Sequence, residues 1–208
     1  MKKLVIDVVS DVMCPWCYIG AKRLATALED SGVQAELRYH PFLLDAGLPE
    51  GGVDLRERLQ KKYGGDPARM FDRVQSEARS AGIPMDFAKI TRSYPTVHAH
   101  TLIRHAATRG TQAALADALF AAYFLDAKNF ADASVLAEIA APHGFSREEV
   151  EALVANEEER ALTIAEAESA RREGVSGVPF YVMDGKLALS GAQPVAQFRA
   201  AIEQAAAG

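Results

Sequence analysis

The turn Cys14-Pro15-Trp16-Cys17 decides the fold class, because it joins the first predicted strand to the first predicted helix. Residues 4–9 form a run of Val, Ile and Leu broken by one acidic residue, which is typical of a buried parallel strand. Pro15 is tolerated at the first helical position, where its missing N–H would be unpaired in any case. Apolar residues then recur at helical spacing, and Gly32 is a candidate C-cap.

Further strand and helix patterns lie on either side of a long helical block. Residues 34–39 alternate in polarity and predict a second strand, which completes a βαβ unit. From about residue 54 to about 174 the pattern indicates helices only. Residues 180–183 and 186–190 flank Asp184-Gly185, a strong hairpin signal, and Pro194 begins a final helix. The order predicts an α/β chain in which both ends build one sheet around a helical insertion.

Composition and charge narrow the functional classes. The chain has 208 residues, is 49% hydrophobic and carries a formal net charge of −5. Dispersed basic residues argue against nucleic acid or an anionic membrane as partner, and no apolar run is long enough to span a bilayer. Two lysines and an apolar stretch open the chain, but Asp7 and Asp11 interrupt it and no cleavage site follows. We therefore expect a cytoplasmic protein.

The two cysteines, Cys14 and Cys17, are too close for an ordinary structural disulfide, whose effect comes from closing a long loop. They are also too few for a four-ligand zinc site without a nearby histidine. The histidines at positions 98, 105 and 143 lack metal-site spacing, so no metal is predicted. A reactive pair remains as the favoured interpretation.

The position of Cys14 before a helix-starting proline favours thiolate chemistry. Free N–H groups and the positive end of the helix dipole point at its sulfur, which should lower the pKa of the thiol. Cys17 lies one turn later on the same face and is expected to be more shielded. The pattern predicts attack by Cys14 and resolution by Cys17. Farther along, Gly177-Val178-Pro179 precedes a strand, where a cis proline bond can occur.

Taken together, these motifs carry a specific resemblance over essentially the whole chain. The run from Asp11 to Gly20, Gly177-Val178-Pro179-Phe180 and Ser190-Gly191-Ala192-Gln193 resemble the DsbA-like thioredoxin family. More narrowly, they resemble its FrnE-type cytoplasmic branch, as do residues 40–44 and the pair Ala99-His100. The resemblance implies a thioredoxin-like fold (βαβ…ββα) from residues 1–50 and 165–208, with a helical insertion domain at 51–164.

The same resemblance assigns roles to site residues. Cys14 would be the exposed nucleophile, and Cys17 the resolving thiol. A cis proline at Pro179 would pack over the cysteines, and Val178 would offer its backbone N–H and C=O to an extended substrate. Pro15 and Trp16 would tune the potential. Strongly oxidising periplasmic members have histidine in place of Trp16, so a strongly oxidising potential is not expected here.

Two further contacts with substrate are predicted less directly. His100 is a candidate substrate-binding residue that approaches the active site from the insertion, although a helix histidine is more often structural. Trp16 and Tyr18 could form an apolar rim for a peptide, or could simply pack in the core.

These observations favour a thiol–disulfide oxidoreductase, a reductase or isomerase acting on protein or small-molecule disulfides. It would carry no bound cofactor beyond the redox-active Cys14–Cys17 disulfide, and would take electrons from a thiol donor such as glutathione or the thioredoxin system. It would act as a monomer or homodimer. The alternative is a glutathione-dependent isomerase or transferase of the hydroxychromene carboxylate isomerase or kappa-class type, which usually has serine at the first cysteine position. A binding module without redox turnover is a third interpretation.

Overall fold

The structure is a computed structural model that describes residues 3–207. Its elements in chain order are β1 (Leu4–Ser10), α1 (Pro15–Ser31), β2 (Ala35–Pro41), β3 (Val53–Asp54), α2 (Leu55–Tyr63), α3 (Pro67–Ser80), β4 (Arg92–Ser93), α4 (Val97–Ala106), α5 (Gln112–Phe124), α6 (Ala133–Ala140), α7 (Arg147–Ala155), α8 (Glu157–Arg172), β5 (Phe180–Met183), β6 (Leu187–Ser190) and α9 (Val195–Ala207). Short 3-10 turns at Ala107–Arg109 and Ala141–His143 follow α4 and α6.

The two ends of the chain build one four-stranded sheet of order β2-β1-β5-β6. β1 pairs with β2 in parallel and with β5 antiparallel, and β5 pairs antiparallel with β6. The β5–β6 turn has positive φ at both Asp184 (47°) and Gly185 (68°), as a two-residue hairpin requires. This arrangement confirms the predicted thioredoxin-like sheet with helices inserted between its halves.

The sheet buries one face against α1 and α9. Ile6 pairs with Met183 and Val8 with Tyr181, so these alternate residues point to the same side. All four are buried, and the ring of Tyr181 meets Phe198 of α9 edge-on, with centroids 4.9 Å apart. This core fixes α1, and therefore the cysteine turn at its start, against the sheet.

The prediction that residues 54–174 contain helices only is wrong. β3 and β4 form a separate two-stranded sheet in which Val53 pairs with Ser93 and Asp54 with Arg92. Two residues per strand are too few to show a period-two pattern. Asp54 then caps α2, because its Oδ1 accepts the N–H of Glu57 at 2.9 Å.

Helix α5 docks the insertion on the free edge of the sheet. The Gln112 side chain accepts the N–H of Tyr39 at 3.0 Å through Oε1, and Nε2 donates to the Tyr39 carbonyl at 3.1 Å. These two bonds pair the backbone N–H and C=O of Tyr39, which would otherwise be unpaired at the edge of the sheet. At the other side of the insertion, α8 runs without a break past residue 164, so the proposed domain boundary there falls inside a helix and stays a prediction.

None of the helices within residues 3–207 combines the length and apolar character needed to cross a membrane.

Candidate active site

The cysteine turn lies at the N-terminus of α1. Cys14 is the N-cap, in an extended conformation (φ −89°, ψ 114°), and Pro15 follows it in the first turn. The Cys14 N–H donates to the Asp11 carbonyl at 2.9 Å, and the Cys14 carbonyl accepts the N–H of Cys17 at 3.0 Å. Both cysteines are free thiols. Sγ of Cys14 therefore lies at the end of the helix where partial positive charge stabilises an anion.

The expectation that Cys14 is exposed is wrong. Its exposed fraction is 4%, close to the 2% of Cys17. Cys14 instead lines the wall of a cavity of about 440 Å³ between the turn and helices α2 and α3. Met13, Trp16 and Val178 line the same cavity.

The segment before β5 packs directly against Cys14. The Val178–Pro179 peptide bond is cis, the configuration that the family resemblance implies. The Cys14 thiol donates to the Val178 carbonyl at 3.8 Å, and the Pro179 carbonyl accepts the N–H of Gly191 at 2.8 Å. Within residues 3–207, the Val178 N–H has no protein acceptor. The Val178 carbonyl is thus paired with the Cys14 thiol, whereas the Val178 N–H is unpaired within the described residues.

The two thiols have different environments. Burial raises the pKa of Cys17 well above its ordinary value, and its hydrogen bond with Cys14 and the charge of a Cys14 thiolate raise it further. The backbone at Asp11 acts in the opposite direction, and the charge of the Asp11 carboxylate adds to the increase. Burial therefore favours the protonated form of Cys17 in the reduced protein.

Asp11 is a buried carboxylate that forms hydrogen bonds with the cysteine turn and with two segments packed against it. Its Oδ1 lies 3.3 Å from Nε2 of His100 and accepts the N–H of Met13 at 3.3 Å. Its Oδ2 accepts the N–H of Leu44 at 2.7 Å. Asp11 has no solvent exposure, so these partners supply the hydrogen bonds that a buried carboxylate needs. An acidic residue at the end of an apolar strand was the signal for this role, and sequence reasoning missed it.

The position of His100 does not support its predicted contact with substrate. His100 is buried on α4, it faces Asp11, and it is absent from the cavity wall. It does approach the cysteine turn from the insertion, but through the Asp11 carboxylate.

The residues between and after the cysteines separate into two environments. Pro15 and Trp16 line the cavity, and the Arg73 guanidinium lies 5.7 Å from the centre of the Trp16 ring. Tyr18 is buried and stacks on Phe120 and Phe124, with centroids 5.3 Å and 6.0 Å away. The idea that Tyr18 forms a rim for peptides is therefore wrong, because its ring packs in the core.

Within residues 3–207, no group of three or more His, Cys, Asp or Glu side chains is arranged to hold a metal ion.

Comparison with known structures shows relatives over nearly the full chain. A probable DsbA oxidoreductase from Streptomyces coelicolor is 30% identical with a TM-score of 0.86, covering 98% of this chain and 90% of that one. The cytosolic disulfide reductase DsbM from Pseudomonas aeruginosa, solved with GSH, is 20% identical (TM-score 0.69; 98% and 100% covered). A 2-hydroxychromene-2-carboxylate isomerase is 16% identical (TM-score 0.73; 96% and 95% covered). The last two show likeness of fold alone.

No match was found among curated proteins. The model of the DSBA-like thioredoxin domain family, however, matches residues 5–203. This match covers both halves of the sheet, the cysteine turn and the whole helical insertion. The chain belongs to the DSBA-like thioredoxin domain family.

Proposed function

We propose that this protein is a cytoplasmic thiol–disulfide oxidoreductase of the FrnE type, acting as a reductase or isomerase through Cys14 and Cys17. The observation that carries the proposal is the placement of Cys14 at a helix N-terminus, bonded to the Val178 carbonyl beside a cis proline. Cys17 follows one turn later with a raised pKa. Family membership supports disulfide chemistry, and the tryptophan at position 16 supports a reducing direction.

The chemistry proceeds in two exchanges. The Cys14 thiolate attacks one sulfur of the substrate disulfide, forms a mixed disulfide and releases the other sulfur as a thiolate. Cys17 then loses its proton and attacks Sγ of Cys14, which releases the second substrate thiolate and leaves the Cys14–Cys17 disulfide. An external thiol donor, for which we propose glutathione or the thioredoxin system, returns this disulfide to the dithiol.

Three features of the chain serve these steps. The start of α1 stabilises negative charge on Cys14 during attack and again when Cys14 leaves Cys17. The free N–H of Val178 is placed to hold the backbone of a substrate next to the sulfur. Burial keeps Cys17 protonated, so that it does not compete with Cys14 for the substrate.

Insulin reduction with dithiothreitol tests the proposal. The wild-type protein should accelerate precipitation of the insulin B chain, and Cys14→Ser should remove the acceleration. Cys17→Ser should accumulate a mixed disulfide on Cys14, visible by mass spectrometry. Thr26→Ser, an exposed change on the same helix, serves as the control and should leave the rate unchanged. Acceleration that survives Cys14→Ser would disprove the proposal.

The same variant distinguishes the glutathione-dependent isomerase or transferase. Such an enzyme activates the thiol of bound glutathione and does not need its own first cysteine. Tight, specific binding of reduced glutathione by Cys14→Ser in calorimetry, together with inactivity toward insulin, would favour that alternative. We expect weak or no binding.

A further inference from the structure

The cavity beside Cys14 has the size and lining of a small-molecule site. Its volume of about 440 Å³ lies in the range of roughly 300–1,000 Å³ typical of ligand pockets. The lining is mostly apolar and includes Trp16, Leu55, Leu59, Phe71, Val74 and Phe124. Tyr63, 57% exposed, also lines it and is one of the two large apolar side chains most open to solvent in the described part of the chain. An apolar molecule that entered past Tyr63 would leave water and pack against these apolar side chains.

One charged side chain among the described residues lines this cavity, and it is Arg58. Its side chain is only 10% exposed, and Nε donates to Asp45 at 3.0 Å. Nη2 has only the Met13 sulfur, 4.0 Å away, which is a weak acceptor. The guanidinium therefore keeps several N–H donors without a strong acceptor, and these can form a bidentate contact with a carboxylate.

A second polar group in the cavity wall lacks a partner. Ser93 is fully buried, and its Oγ makes no hydrogen bond within the described residues. The hydroxyl of the neighbouring wall residue Tyr123 donates to the Arg92 carbonyl at 2.9 Å. Burial raises the pKa of Tyr123 and the Ser93 side chain acts to lower it, so the two hydroxyls lie close together without a well-formed hydrogen bond. A buried hydroxyl without a partner is costly, and a bound molecule with a polar group would satisfy it.

Two further cations, Lys62 and Arg171, lie near Arg58 outside the cavity wall. Lys62 donates to the Leu44 carbonyl at 2.7 Å, and Arg171 donates to the Leu43 carbonyl. After burial, the charges of Arg58 and Arg171 lower the pKa of Lys62, while the carboxylates of Asp45 and Asp11 oppose this effect. Lys62, Arg58 and Arg171 are thus three cations beside the two carboxylates of Asp45 and Asp11, in a chain whose net charge is −5. An anion gains Coulomb energy here.

We propose that this cavity binds a low-molecular-weight disulfide with an apolar body and a carboxylate, which Arg58 holds while the disulfide meets Cys14. The inference rests on the proposed function and names its substrate class. Cys14 and Arg58 line the same cavity, so a compact disulfide bound there can contact both the thiol and the guanidinium.

The reaction is the two-step exchange already described. The probe chosen for this substrate class is the disulfide of para-mercaptobenzoate. It gains two electrons and leaves as two arylthiols. The Cys14 and Cys17 thiols lose two electrons and form their disulfide, and their two protons pass to the products or to water.

Wild-type protein tests the charge preference without any mutation. Reduction of the disulfide of para-mercaptobenzoate is compared with reduction of the matched disulfide of para-mercaptobenzamide, each rate divided by that with free dithiothreitol. We expect a kcat/KM at least roughly tenfold higher for the carboxylate, the size of one charge-assisted hydrogen bond. Arg58→Met should remove the preference, and Arg58→Lys should restore part of it. Lys61→Met, which removes an exposed cation from the same helix outside the cavity, should preserve it.

Binding without turnover separates this inference from the proposed function. The Cys14→Ser, Cys17→Ser double variant is titrated by calorimetry with para-(phenylthio)benzoate, which has a thioether in place of the disulfide, and with its amide. We expect the acid to bind at least roughly tenfold more tightly. Equal binding, or no binding of either compound, overturns the cavity assignment whatever the insulin assay shows. Failure to reduce both insulin and the two small disulfides overturns the redox function whatever this titration shows.

Discussion

The Cys14 thiol donates a hydrogen bond to the Val178 carbonyl over 3.8 Å, although 164 residues separate the two in the chain. This contact exists because α1 lies tightly against the start of β5. At Gly20 an added Cβ would meet the Tyr181 hydroxyl at 2.2 Å and Cγ of Pro179 at 3.2 Å. The absence of a side chain at Gly20 therefore lets the nucleophile meet the proline segment.

Gly20→Ala should destabilise the protein by about 1–3 kcal/mol, the usual cost of overpacking a core, despite the better helix propensity of alanine. Urea unfolding measures the change. The matched control is Gly51→Ala, where a Cβ meets nothing within 4 Å, and it should stay within about 0.5 kcal/mol of wild type.

The predicted clash between a side chain at position 20 and the Tyr181 hydroxyl can be tested by removing that hydroxyl. Its hydroxyl is buried without a hydrogen-bond partner in the described residues, so Tyr181→Phe should cost little or be stabilising. Adding Tyr181→Phe to Gly20→Ala should recover part of the lost stability, because the atom in closest conflict is gone. Strict additivity of the two changes would show that the clash is elsewhere.

Loss of the Asp11 carboxylate should destabilise the cysteine turn. Asp11→Ala leaves three partners without their acceptor, the N–H groups of Met13 and Leu44 and the ring of His100. We expect a loss of about 3–5 kcal/mol, typical of a broken buried pair, and a smaller loss for Asp11→Asn.

A second Asp–His pair in the same protein provides the control for Asp11. Asp7 and His40 are 2.8 Å apart but partly exposed, so Asp7→Ala should cost only about 0–1 kcal/mol. Equal costs for Asp7→Ala and Asp11→Ala in urea unfolding would contradict the importance assigned to the buried pair.

The raised pKa of Cys17 predicts that the reduced protein loses stability at alkaline pH. Below the ordinary thiol pKa of 9.0, Cys17 is protonated in both states. As the pH rises above that value, the unfolded chain releases the proton and the folded chain keeps it, which favours unfolding. Burial also raises the pKa of Tyr18 from 10.0 to about 12, so tyrosines add to the decline at higher pH.

Urea unfolding under a reductant between pH 8 and 10 measures this slope, which is at most about 1.4 kcal/mol per pH unit for one group. Cys17→Ala should flatten the decline that begins near pH 9. An unchanged slope in that variant would assign the decline to other groups.

Local sequence signals predicted much of the fold. Pro15 after Cys14 marked the start of α1, and Asp184-Gly185 marked the hairpin, because proline and glycine restrict the backbone over a few residues. β3 and β4 escaped prediction, because two-residue strands carry no periodicity.

In the candidate site, too, local sequence signals could not predict contacts between residues far apart in the chain. The reactive pair could be found from its spacing, but the contact of Asp11 with His100 joins residues 89 positions apart. The burial of Cys14 depends on how α2, α3 and the Val178 segment close around it. The cavity lining likewise depends on packing between distant elements, so the sequence offered no signal for Arg58 or Ser93.

A redox titration in glutathione buffers tests the central claim most directly. Trp16 is the single tryptophan of the chain and lies between the cysteines, so its fluorescence reports their oxidation state, and thiol alkylation confirms the disulfide. We predict a two-electron transition between about −180 and −270 mV, the range from protein disulfide isomerase to thioredoxin. A transition near about −120 mV, as in a strong oxidant, or no Cys14–Cys17 disulfide at any potential, would contradict a reductase or isomerase.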